Sequence, residues 1–234
     1  PAPSDWTPPM AAAAWPLDCR VRAGAPDAPL LVLLHGAGRD DRALLPMLRR
    51  LPRSWNAVLV RAPRRMPRGG YFWYPVHFRR RGVHVDARQV EAALARLTLL
   101  LDRLPRLCRF DERRLYLAGH SQGAALASAL ALRQPQRVAG VGMLGGRLLS
   151  GVQAGLPAAG RLPRLRFFIG HGLRDPVLPV TLAVQAVRWL RERGVQVTAR
   201  AYEAGHEATP AMLDGLAHWL AGQARAVPAV QRPG

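Results

Sequence analysis

Ser121 stands in the stretch GHSQG with Gly119 and Gly123 two residues away on each side. Ahead of it, Leu115-Tyr116-Leu117 has the apolar character of a short strand, and Ala124 to Leu132 is rich in helix formers. A strand that passes into a helix within one or two residues strains the backbone of the corner residue. The residues two positions away must then be small, or their side chains collide. Such a corner lifts the serine hydroxyl clear of the sheet at a helix N-terminus, where unpaired N–H groups receive developing negative charge. This is the arrangement of a G-x-S-x-G nucleophile elbow, and the chemistry it predicts is attack on an electrophilic carbonyl carbon. The pentapeptide alone is a weak signal in a glycine-rich chain; its position between strand and helix carries the reading.

A serine hydroxyl needs a base, normally histidine, and the base needs an acid that fixes its tautomer and stabilises its cation. Seven histidines compete. His218 lies within the last helix as a surface or core residue, and His77 and His84 belong to an arginine-rich loop. His120 adjoins the serine, so its side chain is expected to point away. His171 follows a strand and could reach the site. His206, in YEAGHE between the last strand and the last helix, can bring its imidazole over the elbow and is the expected base. For the acid, GHGLRDPVLP places Asp175 in the loop after the preceding strand, stiffened by Pro176 and Pro179. Asp214 is mid-helix, and Asp40 and Asp41 sit near a helix start, where capping is the simpler role. A tetrahedral oxyanion needs two N–H donors. One is expected from the backbone of Gln122 and the other from Ala37 in HGAG, residues 35–38, although Gly36 and Gly38 there would equally make a plain tight turn.

The elements that must position these groups alternate. Residues 29–36, PLLVLLHG, read as a buried parallel strand, followed by a helix near 41–51 and a strand in NAVLVRAP. Residues 62–85 read as a long Arg/Gly/aromatic loop. DARQVEAALARLTLLLDRL is an amphipathic helix with Asp86 as its N-cap. The elbow strand and helix come next, the helix closed by Pro135. VAGVGMLGG and LRFFIGHG are strands flanking an irregular segment at 146–164, either a small flap or a plain connection. A helix, the strand VQVTARAY and a final helix complete the pattern. Strands alternating with helices of this length predict an α/β fold: a mainly parallel twisted sheet with helices on both faces and a minimal cap. Ligands of such sheets gather at the carboxyl ends of the strands, where His35, Ser121, Asp175 and His206 stand. Residues 1–16 form a Pro/Ala-rich segment, 17–226 one domain, and 227–234 a loose tail.

A chain of 234 residues with no apolar run of spanning length is expected to be one domain without a transmembrane segment. The N-terminal stretch does not read as a signal peptide, which predicts a cytoplasmic protein; removal of an export signal stays open, because the chain starts at proline. Cys19 and Cys108 fit neither a disulfide framework nor a metal spacing, and are expected to be buried and reduced. The net charge is +19, and all 34 basic residues are arginine. Such a balance can mark nucleic-acid or anionic-membrane partners, but the complete absence of lysine points first to a compositional bias.

In their order and spacing, LLHGAGRD, LAGHSQGAALA, GLRDPVLP and AGHE resemble the phospholipase/carboxylesterase family of α/β-hydrolases, over about residues 29 to 221. The resemblance implies the α/β-hydrolase fold and hydrolysis of carboxyl esters or thioesters with no metal or organic cofactor. It places nucleophile, acid and base on Ser121, Asp175 and His206, and the oxyanion donors on Ala37 and Gln122. Two positions depart from the family pattern. Arg39 stands between HGxG and Asp40, and YFWYPV has Pro75 where the family has an aspartate after Trp73 and Tyr74, the two expected substrate-pocket residues. The expected substrate is a small, short-chain or soluble ester. A thioesterase, lysophospholipase or acyltransferase on the same residues stays open, as does a basic binding protein on a hydrolase scaffold. Arg61, Arg64, Arg65, Arg68, Arg79, Arg80 and Arg81 interleave with aromatics in the loop bordering the expected site, where they would favour an anionic ester or an anionic surface; a solvated loop is the plainer account. Nucleic acid is not an expected partner, and a homodimer stays open.

Overall fold

The computed structural model describes residues 15–79, 82–153, 162 and 164–226. The chain begins with β1 (Cys19–Arg22) and β2 (Leu30–Leu34), passes through a 3-10 turn at Asp41–Leu44 into α1 (Leu45–Leu48), and returns as β3 (Asn56–Val60). Two small antiparallel hairpins follow, β4 (Arg64–Arg65) with β5 (Tyr71–Phe72) and β6 (Val76–Arg79) with β7 (Gly82–Val85). The central units are α2 (Ala87–Leu107), β8 (Leu115–His120), α3 (Gln122–Arg133) and β9 (Gly140–Leu144). The remainder is α4 (Ser150–Gln153), β10 (Arg166–Gly172), α5 (Thr181–Arg191), β11 (Gln196–Tyr202) and α6 (Pro210–Ala226).

One sheet runs in the order β1-β3-β2-β8-β9-β10-β11. Its neighbouring strands are parallel except for β1, which pairs antiparallel with β3 at the edge. Because side chains alternate along a strand, the buried runs feed two cores. Leu30, Val32 and Leu34 of β2, with Val58 and Val60 of β3, pack under α2, α3 and α5. Leu31 and Leu33, with Ala57 and Leu59, pack under α1 and α6. Burial on both faces explains why these strands read as unbroken apolar runs rather than alternating ones. Asp86 caps α2 by accepting from the Arg88 N–H, and α3 stops before Pro135. None of the helices among the described residues is long and apolar enough to cross a membrane.

Three expectations need correction. Residues 62–85 are not a continuous loop but contain the two hairpins, whose strands are too short and too polar to signal themselves. Cys108 is only half-buried, while Cys19 is buried in β1, and both are free. Asp41 does not cap a helix. Asp40 takes that role, accepting from the Arg42 N–H, whereas Asp41 is buried and joined to Arg20 of β1 and to Arg61 at the end of β3. Trp15 is also buried in the core, so close packing begins just before residue 17.

The Asp41 carboxylate ties the edge strand to its neighbour through two arginines. Burial alone would raise its pKa, but hydrogen bonds from Arg61 and Arg20 outweigh this and hold it below the ordinary carboxylate value. A depressed folded pKa adds stability that is complete above the unfolded value, about 3.9, and is lost as pH falls through the folded value. Asp41→Asn strands two half-buried guanidinium groups, so it should cost about 3 kcal/mol near neutrality. That deficit should shrink as pH drops below about 4. Urea titrations of both proteins between about pH 6 and pH 3 would check this; a constant deficit would mean the carboxylate charge is not what holds the edge.

Candidate active site

Ser121 is the N-cap of α3, with φ 54° and ψ −117°, and among the described residues it alone has positive φ without being glycine. The strain persists because its surroundings leave no alternative. Its N–H donates to the Leu144 carbonyl at the end of β9 (3.0 Å), and its carbonyl accepts from Ala125 (3.1 Å). A Cβ on Gly123 would lie 2.1 Å from the Leu34 carbonyl oxygen, and one on Gly119 2.4 Å from the Gly123 carbonyl carbon. Both glycines are therefore required by close backbone approach.

The structure brings the three residues selected from the sequence into one hydrogen-bonded chain. His206 Nε2 lies 2.9 Å from Ser121 Oγ, and His206 Nδ1 lies 2.7 Å from Asp175 Oδ2. A carboxylate only accepts, so Nδ1 carries the proton and Nε2 is left to accept from the serine hydroxyl. Asp175 Oδ1 accepts from the Val177 and Leu178 N–H groups, each at 2.8 Å. Burial pushes the Asp175 pKa up, but the His206 hydrogen bond and those two backbone donors more than offset it, and the net shift is downward. Asp175 is thus an anion at neutral pH.

Other histidines support this chain. His120 donates from Nε2–H to the His206 carbonyl (2.6 Å), and the two rings lie 5.1 Å apart. Burial, then the nearby His206, pushes the His120 pKa down to about 4, so it is neutral under ordinary conditions. His171 lies inside β10 rather than after it; its Nε2–H donates to the Leu178 carbonyl (2.7 Å) and is 3.3 Å from Asp175 Oδ2. It braces the acid's loop. His35 is buried, with Nε2 accepting from the Ala62 N–H at 3.0 Å and Nδ1 2.8 Å from the Gly36 carbonyl. It is the joint between β3 and the HGAG turn. His218 is exposed on α6.

Ala37, Ser121, Gln122 and His206 line one cleft of about 520 Å³. Gln122 is the first residue of α3, so its N–H has no acceptor within the helix. Its side chain is buried and clamps the adjacent segment: Oε1 accepts from the Trp73 N–H (3.1 Å), and Nε2–H donates to the Tyr74 carbonyl (2.8 Å). The HGAG turn is held by Gly38, at φ 77°, whose N–H donates to the Tyr71 carbonyl at 2.8 Å. Tyr74 and Pro75 line the cleft together with Met66, Phe72, Val76 and Leu178. Trp73 does not: it is buried, donates from Nε1 to the His35 carbonyl (2.8 Å) and packs on that ring. The residue expected as a pocket wall instead packs against His35 at the start of the HGAG turn.

The arginines of the 61–81 stretch have several placements. Arg61 pairs with Asp41 and lies over the Tyr71 ring at 5.0 Å. Arg64 bonds Gln89 and lies over Phe72, and Arg65 and Arg68 are exposed. Arg80 and Arg81 lie outside the described residues, as does much of the 146–164 segment. The cation that lines the cleft is Arg147, three residues beyond β9. The search for polar residues at strand ends could have found it, since it follows a strand as His35 and Ser121 do.

The sequence profile of the phospholipase/carboxylesterase family matches residues 20–223. Among solved structures, the Bacillus cereus carboxylesterase superposes with a TM-score of 0.78 at 20% identity, covering 88% of this chain and 94% of its own. A carboxylesterase from Mesorhizobium loti gives 0.78 at 22% identity, covering 93% and 99%. At that identity the superpositions speak for the fold, and the profile match over most of the chain speaks for the family. The chain belongs to the phospholipase/carboxylesterase family of α/β-hydrolases and is an enzyme of the carboxylic ester hydrolase type.

Proposed function

We propose that the chain hydrolyses short, soluble carboxyl esters through an acyl-enzyme on Ser121. The observation that carries this reading is the hydrogen-bonded chain from Ser121 Oγ through His206 to a buried Asp175, opening into an apolar cleft. His206 Nε2 takes the hydroxyl proton as Oγ bonds the carbonyl carbon, and the carbonyl π electrons move onto oxygen. The Ala37 and Gln122 N–H groups receive that oxyanion, aided by the positive end of the α3 dipole. His206 Nε2–H then protonates the leaving alkoxide as the C–O bond breaks. Water repeats the sequence: His206 takes its proton, hydroxide adds to the acyl carbon, and Ser121 leaves reprotonated. Asp175 holds the Nδ1–H tautomer and stabilises the imidazolium without itself taking the proton.

Ser121→Ala should keep the fold, checked by circular dichroism, and lower kcat on a short-chain ester by roughly 10⁴-fold or more. A variant retaining more than about a tenth of wild-type kcat would remove Ser121 from the reaction.

His206 and His171 both lie within reach of Asp175, and labelling separates them. His206→Ala should abolish fluorophosphonate labelling of Ser121 at neutral pH. His171→Ala should lower thermal stability and slow labelling only in part, because it loosens the Asp175–Leu178 loop. The reverse ranking on folded protein would exchange their roles. A chain-length panel of oxygen esters with matched thioesters identifies the leaving group; faster turnover of thioesters throughout would make the chain a thioesterase on the same residues.

A further inference from the structure

We propose that Arg147 receives a carboxylate at the far end of the acyl chain, so that the preferred substrates are monoesters of short dicarboxylic acids. The inference rests on the esterase reading above and adds the substrate class.

Arg147 lines the same cleft as Ser121 and His206, and is half-buried there. Its neighbours on the wall are apolar: Met66, Phe72, Pro75, Val76, Val177 and Leu178. Of the other arginines near the site, Arg61 is paired with Asp41 and Arg174 with Glu203, while Arg39, Arg65 and Arg68 are exposed to solvent. Arg147 forms no ion pair with any described carboxylate. Of the acids in the sequence, Asp5 alone falls outside the described residues. Arg147 also borders a second cavity lined by Glu91 and Glu192, which pair with Arg133 and Arg193 instead; a half-buried guanidinium has lost part of its hydration, and an anion that enters the cleft restores the loss. The planar fork matches a carboxylate bidentately.

Placement within the cleft selects the acyl side. Arg147 and Tyr74 line the same cleft, where burial raises the Tyr74 phenol to about 12 and the Arg147 charge works against that rise. Gln122 holds the backbone of the same wall. The leaving group must depart beside His206, which protonates it, and this leaves the Tyr74 wall to the acyl chain. The departure at Pro75 is consistent with this: where the family resemblance expects an acid, a neutral residue lines the cleft and leaves an incoming carboxylate unopposed.

The net charge of +19 attracts any anion, so a preference for anionic esters by itself proves nothing about Arg147. The decisive quantity is the ratio of kcat/KM for monoethyl glutarate to that for ethyl pentanoate, an ester of equal acyl length, followed by acid release at constant pH. Arg147→Gln should lower this ratio about tenfold or more, the loss expected for a charge-assisted pair. Arg147→Lys keeps the charge but not the fork, and should lose a smaller part. Arg106→Gln removes the same unit charge at the exposed carboxyl end of α2, and should leave the ratio within about twofold. If Arg147→Gln does not fold, the lysine variant decides alone: a fall on glutarate exceeding that on pentanoate supports the proposal. Equal losses on both esters, or a change no larger than that of Arg106→Gln, would overturn it while leaving the esterase reading intact. Failure of folded wild-type protein to hydrolyse either ester or to take up fluorophosphonate would overturn both.

Discussion

The first turn of α3 touches the end of β2 backbone to backbone, and the site depends on that contact. Gly123 sets its α-carbon against the Leu34 carbonyl, where a methyl group would be 2.1 Å from oxygen. Leu34 is in register with Gly119 across the β2–β8 pair, so the two strands end side by side. One exit becomes the HGAG turn and the other becomes Ser121. The serine at that corner has φ 54°, and Ala37 of the HGAG turn and Gln122 at the start of α3 line one cleft. A wider separation would relax the serine and pull the two prospective oxyanion donors apart.

The base and acid reach this corner from the other half of the sheet. His206 follows β11 and Asp175 follows β10, and the parallel register from β8 to β11 delivers all of their carboxyl ends to one edge. The residues in contact are 85 and 31 positions apart in sequence. What keeps them in place is a set of short-range braces: two backbone N–H groups on Asp175, the Leu178 carbonyl on His171, and the His206 carbonyl on His120. His120 is held neutral by burial, so its bond to the His206 backbone does not place a positive charge beside the His206 ring.

The excess of arginine is distributed by what is available to neutralise it. With 15 acids for 34 arginines, carboxylates are outnumbered more than two to one, and Asp41 and Asp111 each meet two guanidinium groups. A second buried carboxylate besides Asp175, that of Asp41, holds the sheet edge. Aromatic faces take up arginines as well, as with Arg64 on Phe72, and they add to ion pairs in Arg61 on Tyr71 and Arg193 on Trp189 at 3.8 Å. Arg147 differs from these in having the cleft itself in front of it.

The order of strands and helices, the elbow at Ser121 and the choice of Asp175 and His206 were legible in the sequence, because each rests on a local rule. Buried parallel strands must be apolar throughout, a strand-to-helix corner must be flanked by small residues, and polar groups of this fold collect after strands. Three matters were settled only by packing. The strands β4 to β7 are too short to show periodicity and exist because partner strands satisfy their backbone groups. Trp73 faced the core and Tyr74 the cleft, a division between adjacent residues that depends on which face of the chain Gln122 and His35 hold. Asp41 and Arg147 exchanged the roles their neighbourhoods implied, the acid at a helix start becoming a buried strut and the arginine in a glycine-rich turn becoming the cation of the cleft. Local sequence dictates backbone conformation through sterics and hydrogen bonding over a few residues, whereas a charge takes its role from the partners that distant segments bring to it.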